Sequence, residues 1–145
     1  MSDEVIVTRV CEETAALMQV RVSRATAQRY LQLHAVIPAR LTCWPRERLT
    51  ELVDELADDD SPTWERVLIL LGHHGSEAAV QILCDLAQQV PVDLREFAEL
   101  AYAESLTWIG VDYVRVDPAG PIALPCSGAV GGVDCGPPEP GFGYS

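Results

Sequence analysis

The sequence contains no lysine. All ten basic residues are arginines, and with 22 acidic residues they leave a net charge of −12 at pH 7. Generic binding to phosphate backbones or anionic lipid is therefore disfavoured, because both would repel such a chain. The charge is also uneven: residues 1–48 hold seven Arg against five acidic residues, a balance of +2, so the remainder carries −14.

Long apolar runs are also missing. No stretch approaches the roughly 18 apolar residues of a membrane helix, and the N-terminus has no basic start followed by an apolar segment. We therefore expect a cytoplasmic protein without a membrane partner. A chain of 145 residues is long enough for one domain that buries roughly two thirds of its unfolded surface.

Signatures of catalysis are absent from the sequence. It has no Gly-rich phosphate loop, no nucleophile elbow and no Cys-x-x-Cys. His73 and His74 beside Glu77 suggest a metal, but adjacent histidines at a turn point apart, and no second His–Glu pair completes a site. His34 is interpreted as a partly buried or surface residue. We expect no enzyme, no metal and no cofactor.

The N-terminal segment predicts two helices. Residues 3–20 place apolar side chains at helical spacing, although residues 5–7 also suit a short strand. Ser23 is a good N-cap for a second helix, which we expect to run to about residue 36.

This helix pair resembles a DNA-binding helix-turn-helix over residues 13–31, in which the second helix enters the major groove. The resemblance implies that Arg24, Gln28 and Arg29 contact bases or phosphates. It departs from the family at the turn, where Arg21 replaces the usual small residue. A DNA-binding regulator is thus an alternative function, and an ordinary helical hairpin with a solvated Arg face is the competing interpretation.

Four further helices are predicted between residues 45 and 110. Each begins with a capping residue or with a proline suited to the first turn, and each has an apolar side. The start signals are Pro45, Ser61 followed by Pro62, Ser76, and Asp93.

The same region resembles the HEAT-like repeats of bacterial solenoids, in which a helix ending Leu-Gly precedes a Gly turn and a second helix. The motifs lie at residues 70–72, 75–83, 94–98 and 108–110. The resemblance covers residues 45–110, more loosely 24–44, and departs from the pattern at residues 62–66 and at Glu104, where a small Ala is usual. It implies an all-α fold over residues 1–110, a short right-handed stack of α-hairpins.

The function that this resemblance implies is protein binding through the second helix of each hairpin, here residues 46–57 and 76–89. Their outward face is acidic, so a basic partner surface is complementary. A solvated face in an acidic protein is the competing interpretation. We expect a non-enzymatic interaction module, such as an adaptor, assembly factor or inhibitor. The predicted partner-binding residues on these helices are Glu51, Asp54, Glu55, Asp58, Glu77, Gln81 and Asp85.

Residues 111–145 are expected to form an extended, flexible tail. From residue 110 onward lie eight of the ten Gly and six of the ten Pro, a composition that favours disorder or order only with a partner. Phe142 and Tyr144 are the expected anchors in a docking tail. A third interpretation is a peptide precursor modified between Cys126 and Cys135.

Overall fold

The computed structural model describes residues 3–56, 61–114 and 121–123. These residues form a helix-rich mixed α/β fold with one sheet, so the expected all-α hairpin stack is wrong. The strands are β1 (Glu4–Val10), β2 (Leu17–Ser23), β3 (Tyr113–Val114) and β4 (Pro121–Ala123), and the α-helices are α1 (Arg24–Leu33), α2 (Arg46–Asp54), α3 (Ser61–His73), α4 (Glu77–Leu86) and α5 (Arg95–Trp108).

The first correction concerns residues 3–20, which form an antiparallel hairpin rather than a helix. Val5 lies opposite Val22 and Val7 opposite Val20, and all four side chains are buried. Along β2 buried and half-buried residues alternate strictly, which is the period-two pattern of a strand. β-branched side chains favour this pleated surface over a helix.

The sheet also recruits residues from the segment that was expected to be a tail. β3 pairs parallel to β2, and β4 pairs parallel to β1. The strand order is β3-β2-β1-β4, so the sheet is mixed. Most other residues of the segment, including Cys126, Cys135, Phe142 and Tyr144, lie outside the described residues.

The helix-turn-helix expected over residues 13–31 is also wrong. Its first helix does not form, because the hairpin turn and β2 occupy residues 11–23. Its second helix is α1, and the predicted N-cap is present: the Ser23 hydroxyl accepts a hydrogen bond from the Thr26 backbone N–H at 3.3 Å.

Helix α5 is central to the fold, since it contacts β1 and β2 as well as α3 and α4. Its crossing with α3 is close enough to require glycine. A Cβ added at Gly72 would lie 2.9 Å from the Ala101 carbonyl oxygen, inside van der Waals contact. Helix α3 begins at Ser61 and α4 follows its N-cap Ser76, where the sequence predicts helix starts.

Within the described part of the chain, no helix combines the length and the apolar character that crossing a bilayer requires.

Candidate functional site

A cluster of polar side chains lies inside the fold, where β1, α1, α3 and α5 meet. Burial of so many polar groups is unusual, since such groups are mostly exposed unless they are paired. Helix α1 and the turn after it supply two members, and α5 supplies three. We call this cluster the buried centre; it comprises Arg9, Tyr30, His34, His73, Glu104, Thr107 and Trp108.

Glu104 is the hub of the buried centre, and its side chain is 0% exposed. The Tyr30 hydroxyl donates to its Oε1 at 2.6 Å, and His73 Nε2 lies 3.0 Å from the same oxygen. Burial alone would raise the pKa of the Glu104 carboxyl. Electrostatic attraction to His73 and His34 outweighs burial and holds that pKa well below its usual value. Glu104 is therefore a buried carboxylate.

Arg9 holds the other side of that carboxylate. Its Nε lies 3.2 Å from Glu104 Oε2, and its Nη1 donates to Thr107 Oγ1 at 2.8 Å. The guanidinium also stacks over the Trp108 ring, 3.6 Å from the centroid, in cation–π geometry. Arg9 lies on the same face of β1 as Val5 and Val7, which explains why this charge faces α5 rather than solvent.

The two histidines of the buried centre have the same orientation. His34 Nδ1 lies 2.8 Å from the Tyr30 carbonyl oxygen, and His73 Nδ1 lies 2.9 Å from the Ile69 carbonyl oxygen. A carbonyl oxygen only accepts, so each Nδ1 must carry the donated proton. Each ring therefore turns its Nε2 towards Glu104.

The Nε2 atoms differ in how close they come to the carboxylate. His73 Nε2 is 3.0 Å from Glu104 Oε1, whereas His34 Nε2 is 3.8 Å away, too far for a hydrogen bond. Burial lowers the pKa of His34, but its attraction to Glu104 outweighs burial and raises it. The two rings are perpendicular, with centroids 4.7 Å apart.

The partner-binding residues predicted on α2 and α4 lie on the solvent-exposed sides of these helices. The two helices contact each other. We call this set the acidic surface. Asp58 lies outside the described residues. The members that the structure describes, all exposed, are Glu51, Asp54, Glu55, Glu77, Gln81 and Asp85.

Only part of the acidic surface is neutralised by neighbours. Glu55 forms an ion pair with Arg66, and Gln81 donates to Asp85 at 3.2 Å. Within residues 3–56 and 61–114, Glu51 and Asp54 form no ion pair with a basic side chain. These two carboxylates remain available to an incoming positive charge.

An apolar groove of about 390 Å³ lies between α4 and α5. Cys84, a free and exposed thiol, forms part of its α4 wall, and it lies three positions after Gln81, on the same face of the helix. The groove therefore borders the acidic surface. Its lining residues are Leu83, Cys84, Ala87, Arg95, Ala98, Glu99 and Tyr102.

The residues predicted to contact DNA are exposed on α1, and its two arginines are engaged within the chain. Arg24 pairs with Asp3 at 3.3 Å, and Arg29 donates to Glu65 Oε1 through both Nε and Nη2, at 3.1 and 2.9 Å. With the first helix absent, nothing in this arrangement supports recognition of a duplex by Arg24, Gln28 and Arg29.

The buried centre was not predicted from the sequence. The one metal hypothesis joined His73, His74 and Glu77, and the structure separates them. His74 is buried and bonds the Ser76 hydroxyl and the Trp44 carbonyl at 2.7 Å each, while Glu77 is exposed. The only sequence signal was Glu104, an acidic residue in an otherwise apolar stretch where a small Ala was expected.

Comparison with known proteins finds no similarity that identifies this chain: no family model, no curated protein and no solved structure matches it. The relation to HEAT-like repeats over residues 45–110 therefore stays a prediction.

Proposed function

We propose that this chain is a non-enzymatic, cytoplasmic interaction module that binds a basic partner protein through the acidic surface. An adaptor, an assembly factor or an inhibitor would each act in this way. The main support for the proposal is that α4 contributes both to the wall of the apolar groove, through Leu83 and Cys84, and to the acidic surface, so that one helix joins an apolar anchor site to an acidic face.

The charges of the acidic surface are not explained by the stability of α2. Glu51 and Glu55 are like charges at i, i+4 spacing, which costs an isolated helix roughly 0.2–0.5 kcal/mol. Glu51 and Asp54 gain no ion pair in the described chain to offset that cost. A surface that binds a positive partner accounts for both features, because complementary charge steers encounter and sets orientation.

The apolar groove supplies binding affinity that exposed charges alone do not. Interface affinity is concentrated in a few apolar or aromatic side chains that fill pockets, whereas exposed rim charges contribute little. The partner that suits both features is an amphipathic helix or loop, with an apolar side chain for the groove and Arg or Lys beside it.

The test uses a fluorescent amphipathic peptide of Leu and Lys as the probe, with binding followed by anisotropy at low salt. The double variant Glu51→Lys with Asp54→Lys should weaken binding about tenfold, the equivalent of about 1.4 kcal/mol. The matched control reverses Glu12 and Glu13, two exposed residues of the β1–β2 turn, and changes the net charge by the same amount.

The control distinguishes binding at the acidic surface from a response to the net charge of the chain. We expect the Glu12 and Glu13 variant to bind nearly as well as the parent chain. Equal weakening in both double variants would mean that the probe senses only overall charge, and the proposal would fail. A further variant, Ala87→Phe, fills the groove without changing charge and should also weaken binding.

A further inference from the structure

We propose that the buried centre binds one divalent first-row transition-metal ion, of the Zn²⁺ or Co²⁺ type, through His34, His73 and Glu104. The ligand atoms are the two Nε2 atoms and a Glu104 carboxylate oxygen, and all three lie within 4.8 Å of one another. Two imidazoles and one carboxylate form a donor set common in zinc and non-haem iron sites. This site is independent of the acidic surface.

The tautomers of the two rings are those of metal ligands. Because the backbone carbonyls of Tyr30 and Ile69 fix a proton on each Nδ1, a neutral ring presents the Nε2 lone pair towards the centre. Histidines that bind metals typically donate their other ring N–H to a carbonyl or carboxylate in this way. Here the fold supplies that second hydrogen bond for both rings, from residues four positions earlier in the chain.

Both Nε2 atoms are buried and lie in ion-pair range of the Glu104 carboxylate. Neither meets hydrogen-bond geometry with a partner in the described part of the chain. Two ring-nitrogen lone pairs and a carboxylate oxygen converge here, so a positive species at this point, either a proton on a ring or a metal ion, is favoured.

The distances suit a metal ion after the histidine rings adjust. Two ligand atoms about 2 Å from a tetrahedral ion lie about 3.3 Å apart. His73 Nε2 and Glu104 Oε1 are already 3.0 Å apart, and His34 Nε2 is 3.8 Å from that oxygen. The two Nε2 atoms lie within 4.8 Å of each other, so they have to approach by up to about 1.5 Å. His34 begins the short 3₁₀ turn 34–36 after α1, whose next two residues are exposed, so this ring can move without disturbing a long helix.

The remaining members of the buried centre position the carboxylate. Arg9 pairs with Glu104 Oε2, and the Tyr30 hydroxyl donates to Oε1. Together these two contacts fix the carboxylate with Oε1 on the side of the histidines. Such outer partners orient a ligand and tune the ion that it holds. The positive charge of Arg9 repels the metal ion, so we expect the ion to bind more weakly here than at a site with two carboxylates.

The test is a titration of the full, tag-free chain with Co²⁺ after treatment with a chelator. We expect saturable visible d–d absorption at one equivalent, lost when Zn²⁺ is added. His34→Gln should abolish it while leaving the far-UV circular dichroism unchanged. His74→Gln is the matched control, since His74 is the third histidine of the chain and both of its ring nitrogens are hydrogen-bonded elsewhere.

Three results would overturn the proposal: no saturable absorption, the same absorption in His34→Gln, or a thiolate-to-cobalt charge-transfer band, which would place the ion at cysteine. His34→Gln is preferred to Glu104→Gln because the latter leaves the charge of Arg9 without its carboxylate and tests folding as much as binding.

Discussion

Replacing Glu104 by Gln is the perturbation that most sharply tests how the interior of this fold is stabilised. The substitution keeps the volume of the side chain and an oxygen that accepts from the Tyr30 hydroxyl. It removes the negative charge that faces Arg9 at 3.2 Å. The Arg9 side chain is 1% exposed, so its charge cannot turn to water for compensation.

The magnitude follows from that burial. Removing one partner of a buried ion pair typically costs 3–5 kcal/mol, because an uncompensated charge stays in the interior, and we expect about 3–5 kcal/mol here. Single domains have about 5–15 kcal/mol of stability in total, so the variant should remain folded or nearly so. The exposed pair of Glu55 with Arg66 gives the contrast, since Glu55→Gln should cost about 0–1 kcal/mol.

The assay is urea unfolding followed by far-UV circular dichroism. It is applied to Glu104→Gln, to Glu55→Gln, to Arg9→Met, and to Arg9→Met combined with Glu104→Gln. Because the combined variant has no buried charge at position 9, its loss of stability should be smaller than the sum of the losses in Arg9→Met and Glu104→Gln. If Glu104→Gln costs no more than Glu55→Gln, or if the two changes simply add, the buried pair does not have the role assigned to it.

Two other substitutions test the packing and capping of the helices. Gly72→Ala should destabilise the fold by up to about 2 kcal/mol, since overpacking against the backbone of Ala101 outweighs the helix preference of Ala; unchanged stability in urea unfolding would show that α3 and α5 can separate freely. Ser76→Ala should cost about 1 kcal/mol through loss of the cap to the Ala79 N–H, and Ser76→Asp should recover most of it, whereas equal loss in both would contradict a capping role.

Helices were predictable where the signal is local. Ser23, Ser61 and Ser76 mark helix starts in the sequence, and α1, α3 and α4 begin at or directly after them. A cap and a proline at the first turn act over a few residues, so a single sequence is enough to detect them.

The hairpin was missed because its stabilising partners are not local. Residues 3–20 match a helical spacing loosely, and the alternation of Met18, Val20 and Val22 was the better signal. All three are buried, in a strand that pairs with β1 and packs against α5, contacts that no short window of sequence contains. Tertiary burial decided between two periodicities that overlap in this segment.

The buried centre is harder to predict from the sequence than the hairpin. Arg9 and Thr107 are in hydrogen-bond contact although they are 98 residues apart, and the fold alone brings them together. The acidic surface, by contrast, needed only the pattern of outward positions on α2 and α4, and its described residues are exposed as expected. Outward faces are visible in local periodicity, whereas convergence of side chains from four elements is not.

The protonation pattern of the His34 and His73 rings, observed by long-range ¹H–¹⁵N NMR of the full chain, is the decisive measurement for the buried centre. We predict that Nδ1 carries a proton in both rings, with and without Zn²⁺, and that added Zn²⁺ shifts both Nε2 signals. A bare Nδ1 with a proton on Nε2 in either ring would contradict the geometry of the buried centre and the metal site built on it.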